Sequence, residues 1–147
     1  MKLGVDPDRF VASGGSSGGH VAACTDIIEG IKEYGEKLSI SSAPNAMILF
    51  NPVLDTTAKG YGVKMLGVEQ QSTISPCQHI RKGIVLTIVF HGTADKTVPF
   101  ENAERFAKLM HDAGNQCMLI PFKAKTKVFS TTRLFESQMA IPIFCRL

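Results

Sequence analysis

The chain has 147 residues, room for one domain with one core. Its 44% hydrophobic and 20% charged content is that of an ordinary globular domain, which excludes a disordered or fibrous chain. The net charge of +3 is scattered apart from Lys123, Lys125 and Lys127, which argues against a nucleic-acid partner, and no apolar run is long enough for a membrane span.

Met1–Asp6 lacks the apolar segment of a signal peptide, and the compartment stays open. The cysteines Cys24, Cys77, Cys117 and Cys145 are widely spaced and form no Cys-x-x-Cys. Neither a zinc site nor a disulfide framework follows. Cys24 and Cys117 lie in apolar runs and are expected as small core residues.

After a turn-like start with Pro7, Phe10 to Ala12 reads as a buried strand. It runs into Ser13-Gly14-Gly15-Ser16-Ser17-Gly18-Gly19-His20, a block of small residues. Beyond it the period changes: Val21, Cys24, Ile28 and Ile31 fall on one face of a helix that fades between Gly30 and Gly35. Strand, glycine turn and helix are the setting of a nucleophile elbow, Gly-x-Ser-x-Gly. The glycines flank a turn too tight for side chains, and the serine oxygen stands above a helix N-terminus, where free N–H groups favour an oxyanion. Two registers fit, one with Ser16 and one with Ser17 as the nucleophile. The plain alternative is a flexible or phosphate-cradling glycine loop, although neither Gly-Lys-Ser/Thr nor Gly-x-Gly-x-x-Gly is present.

Ala46–Phe50, closed by Asn51-Pro52, predicts a second buried strand of the parallel-sheet type. Residues 54–79, with Gly60, Gly62, Gly67 and Pro76, predict an irregular excursion with a helical turn, of the kind that contacts substrate. Ile84–Phe90 is a third strand, rich in β-branched residues. Phe100, Ala103, Phe106, Ala107, Met110 and Ala113 trace an amphipathic helix that stops at Gly114. Cys117–Phe122 is a fourth strand. This order implies right-handed crossovers and an α/β fold with a mostly parallel sheet of about four strands and flanking helices. Asp95, just past the third strand, reads as a turn aspartate or as the acid that orients a catalytic histidine, in the chain order Ser, Asp, His.

Gly14 to His20, Asn51-Pro52, Ser75-Pro76 with His79-Ile80, and Phe90-His91-Gly92-Thr93-Ala94-Asp95 with Val98-Pro99 resemble the carboxylesterase/lipase branch of the α/β-hydrolases. More narrowly, they resemble bacterial acetyl-esterase and xylan-esterase-like members, over about Gly4 to Phe122. The resemblance implies a serine hydrolase of small carboxylic esters, with no metal and no cofactor. It aligns Ser16 with the nucleophile, Ser17 N–H with one oxyanion donor and Asp95 with the acid. His20 and His91 match histidines that are not the catalytic base and are expected to be structural. His111, beside Asp112 in a helix, is expected on the surface.

Two departures from that pattern stand out. The family's upstream strands, with the His-Gly-Gly-Gly-type loop that supplies the second oxyanion donor, have no counterpart. Their absence leaves a free sheet edge, open to self-association. The family's catalytic histidine after the fourth strand has none either: residues 123–132 read Lys-Ala-Lys-Thr-Lys-Val-Phe-Ser-Thr-Thr, and no histidine follows His111. We therefore expect a partial domain over residues 1–122 and an atypical tail over 123–147, out of frame from about Ala124. The catalytic set is incomplete, and a non-catalytic half-domain and a serine peptidase of the same fold stand as alternatives.

Overall fold

The computed structural model describes residue 6 and residues 9–30, 35, 41, 43–57, 60 and 66–126. Four parallel strands form one sheet in chain order: β1 (Val11–Gly15), β2 (Ala46–Phe50), β3 (Leu86–Gly92) and β4 (Cys117–Phe122). Helix α1 (Ser17–Ile27) follows β1, and α3 (Phe100–Asp112) joins β3 to β4. Between β2 and β3 lie α2 (Val68–Thr73) and a 3-10 turn (Pro76–Gln78), in place of a single helical turn. The expected α/β class and the parallel sheet are both observed.

Strands that advance in one direction, joined by right-handed crossovers, place every crossover on the same face. Alternation along the strands follows from this. Met47, Leu49, Thr87, Val89 and His91 point into the core beneath α1 and α3 and are fully buried. Their neighbours on the other face, Val11, Leu86 and Met118, are about half exposed. Ile48, Phe50, Ile88, Phe90, Ile120 and Phe122 share that second face and are only partly buried. Phe50 and Phe90 stack there with ring centroids 5.2 Å apart.

Helix α3 packs as its period predicts, with Ala103, Phe106, Ala107 and Met110 buried. Helix α1 does not. Its buried face is Gly19, Ala22, Ala23 and Ile27, whereas Val21 is 63% exposed. The cause is close backbone contact. A Cβ on Gly14 would lie 2.4 Å from the Gly18 carbonyl oxygen, and one on Gly19 would lie 2.9 Å from Pro52 Cβ. Small residues therefore turn toward the sheet, and the larger Val21 turns outward.

Cys117 is buried as expected, and Cys24 is half-buried. Phe10, expected in a buried strand, lies one residue before β1, an edge strand, and is 48% exposed. Residues 123–126 turn back onto the loop after β3, where Ala94 N donates to the Lys125 carbonyl and Ala124 N to Thr93 Oγ1. Ile31 and the tail from residue 127 lie outside the described residues.

Candidate active site

Register places the predicted residues along one end of the sheet. Gly15, Phe50 and Phe90 are partners across β1, β2 and β3, so Ser16, Asn51 and His91 follow one another at the carboxyl ends of neighbouring strands. Ser16 N donates to the Phe50 carbonyl and Asn51 N to the Phe90 carbonyl, carrying the ladder one step past the strand ends. This is where open α/β sheets place ligands.

Ser16 is the turn residue between β1 and α1, with φ 53° and ψ −121°. A serine at positive φ is uncommon and persists only when its surroundings hold it there. Two bonds to its carbonyl do so, from His20 N at 3.1 Å and Val53 N at 3.3 Å. The Ser16 hydroxyl does not cap the helix. Ser17 is the first residue of α1, so its backbone N–H, like those of Gly18 and Gly19, has no acceptor within the helix. The strained residue of the motif is thus Ser16, and Ser17 supplies an amide beside it.

Asp95 is 7% exposed. Its Oδ1 accepts from the amides of Thr97 (2.8 Å) and Val98 (3.1 Å), and its Oδ2 accepts from Asn51 Nδ2 at 2.8 Å. A turn aspartate would need only the bonds to Thr97 and Val98. The bond from Asn51 ties it to a different strand.

All four histidines bond to main-chain carbonyls. His20 Nδ1 meets the Val53 oxygen at 2.9 Å, and His79 Nε2 meets that of Ser72 at 3.0 Å. His91 Nε2 meets the Val98 oxygen at 2.9 Å, and His111 Nε2 meets that of Cys117 at 2.7 Å. His91 comes nearest to a triad position, with Nε2 3.9 Å from Asp95 Oδ2. Since Nε2 donates to Val98, Nδ1 is left as a buried acceptor with no partner. Burial also pushes the His91 pKa down, against smaller opposing effects from the Val98 carbonyl, Asp95 and Glu101, which favours the neutral ring. His20 fastens α1 to the loop after β2 and bridges to Cys24 Sγ at 3.6 Å. His111 is exposed, as expected.

Behind the loop after β2 lies a polar cluster that belongs to none of the sequence motifs. Asp55, with its side chain 1% exposed, pairs with Arg105 of α3. Its Oδ1 accepts from Thr57 N and Thr57 Oγ1. Arg105 also donates to Asn102 Oδ1. Beside this pair Cys77 is held as a thiol, its pKa raised to about 12 chiefly by burial and further by the Asp55 charge. A carboxylate three residues past a Pro, inside the apolar run Val53-Leu54-Asp55, was the available signal. A charge there must be paired if the run is buried. Among the described residues no cluster of His, Cys, Asp or Glu could hold a metal ion. A depression of about 280 Å³ bounded by Lys82, Ile84, Asn115 and Gln116 lies at the amino ends of β3 and β4, away from Ser16.

A parallel sheet with a strained serine between its first strand and helix, and a buried aspartate two strands on, defines an α/β-hydrolase. The chain belongs to the BD-FAE family, whose model matches residues 1–110, within the carboxylesterase branch of that fold. Esterase 2 of Thermogutta terrifontis in its native form superposes with a TM-score of 0.77 at 47% identity, over 86% of this chain and 48% of that one. The same esterase phosphoramylated by tabun gives a TM-score of 0.78 at 50% identity, over 86% and 48%. A probable isoprenylcysteine alpha-carbonyl methylesterase of Arabidopsis thaliana is 32% identical over 85% of this chain and 31% of its own length. The chain thus spans about half of the solved esterases and about a third of the plant relative.

Proposed function

We propose that this chain carries the nucleophile and the acid of a serine hydrolase acting on small carboxylic esters. The observation that carries the reading is Ser16, a non-glycine residue held at φ 53° between β1 and α1. In this reading Ser16 Oγ attacks the acyl carbon and gives its proton to a general base. The alcohol leaves with that proton, and water then hydrolyses the acyl-enzyme. The oxyanion is met by the Ser17 amide and the positive end of α1. Asp95 orients the base.

The relatives support the substrate class. Structures of the Thermogutta esterase hold propionate and butyrate, which points to short acyl groups, and paraoxon phosphorylates it, as expected of an activated nucleophile. Each of the four histidines commits one ring nitrogen to a main-chain carbonyl, and in this reading none of them is assigned as the base. Losing the histidine of such a triad costs on the order of a million-fold in kcat, so this reading expects only slow turnover without an added base.

A second reading is favoured by the half-exposed Val11, Leu86 and Met118 on one face of the sheet. In it the chain is a non-catalytic half that needs a partner to complete the sheet. Incubating the purified chain with paraoxon, and separately with p-nitrophenyl propionate, decides between the two. The hydrolase reading expects a phosphoryl adduct at Ser16 by mass spectrometry and residual turnover, both lost in Ser16→Ala. Equal behaviour of wild type and Ser16→Ala would leave only the half-domain reading.

A further inference from the structure

We propose that Asn51 is a positioning residue for Asp95, and that residues 51–53 couple the Asp95 loop to the Ser16 turn; this rests on the reading of Ser16 and Asp95 given above. The bonds from Thr97 and Val98 to Asp95 Oδ1 come from Asp95's own loop. They set the carboxylate within that loop but not against the sheet. The bond from Asn51 Nδ2 to Oδ2 does the second task, since Asn51 closes β2.

Asn51 is itself fully buried and held at φ 43°, a conformation that asparagine tolerates better than most residues. Its amide is a donor that does not titrate, so it meets the carboxylate at any pH. The two residues that follow reach the other half of the site. Pro52 packs against Gly19, Val53 N donates to the Ser16 carbonyl, and His20 Nδ1 donates to the Val53 carbonyl. Three consecutive residues thus touch the acid, the turn serine and the first turn of α1. A shift of Asp95 relative to Ser16 has to break this segment.

Two variants and one exchanged pair test the idea. Asn51→Gly accepts the positive φ and removes only the side chain. Asn51→Asp keeps the size but sets two carboxylates against each other. Combining Asn51→Asp with Asp95→Asn restores one donor facing one acceptor and leaves an oxygen at position 95 for the Thr97 and Val98 amides. Urea unfolding is expected to show the exchanged pair more stable than Asn51→Asp alone. On p-nitrophenyl propionate with imidazole added as the external base, and with the Ser16→Ala rate subtracted, Asn51→Gly is expected to lower kcat about 10- to 100-fold. KM should stay within about two-fold, as for a group that acts through the acid and not on bound ester. An exchanged pair no more stable than Asn51→Asp, or wild-type kcat in Asn51→Gly, overturns the proposal. Turnover that survives Ser16→Ala sinks the hydrolase reading instead, and the exchanged pair then upholds or overturns the Asn51–Asp95 lock by itself.

Discussion

The glycines around Ser16 do unequal work. Gly14 faces the Gly18 carbonyl, and a Cβ there would sit 2.4 Å from that oxygen, on backbone that cannot step aside cheaply. Nothing lies within 4 Å of a Cβ built on Gly18. The Gly-x-Ser-x-Gly pattern treats the two alike, but the steric demand falls on the first, because it is Gly18's backbone that presses on Gly14. Gly14→Ala should therefore cost about 2–3 kcal/mol by overpacking. Gly18→Ala should be neutral or stabilising by up to about 1 kcal/mol, since alanine suits a helix better than glycine. Urea midpoints of the two variants check this, and equal losses would refute it. The motif could be read from the sequence, but which glycine is indispensable could not, because that depends on how closely helix and strand approach.

At the scale of elements, the loop after β2 is the part the sequence described least well. It reads as irregular, yet Asn51 to Thr56 are all buried. The Asp55–Arg105 pair fastens this loop to α3, so α3 braces the segment that bears Asn51 and Val53. Removing one partner of a buried pair typically costs 3–5 kcal/mol. Here Asp55 keeps its bonds from Thr57, and Arg105 is about one-third exposed, so Arg105→Ala should cost less, about 2–3 kcal/mol. Urea unfolding measures it, and a loss under about 0.5 kcal/mol would show that the pair is only a surface ion pair. The lysine-to-aspartate pair Lys108–Asp112 on the outer face of α3, 75% and 57% exposed, is the comparison that should show such a small effect.

For the whole molecule, same-face crossovers leave the second face of the sheet apolar and β1 with an unpaired edge among the described residues. Edge strands in natural proteins are commonly blunted by charge or proline. β4, at the other edge, contains Pro121, whereas β1 reads Val-Ala-Ser-Gly-Gly with neither device. The isolated chain is therefore expected to self-associate. Light scattering should give a mass that rises above 15.9 kDa with concentration, and Val11→Lys should reduce the rise. A constant monomer mass across concentrations would rule this out.

Much of the protein was legible from local pattern alone. The four strands, the α3 face, the turn carrying Ser16 and the placement of Asp95 after β3 all follow from periodicity and from glycine and proline, which act over a few residues. The sequence also showed that no histidine follows His111. Tertiary structure alone decided the rest. Which face of α1 is buried depends on the contact between Gly14 and Gly18. The engagement of His91 with Val98, the lock from Asn51 to Asp95 and the pairing of Asp55 with Arg105 join residues on separate elements. Except for the local His91–Val98 contact, those partners lie more than forty positions apart, and only folding of the sheet brings them into hydrogen-bond range.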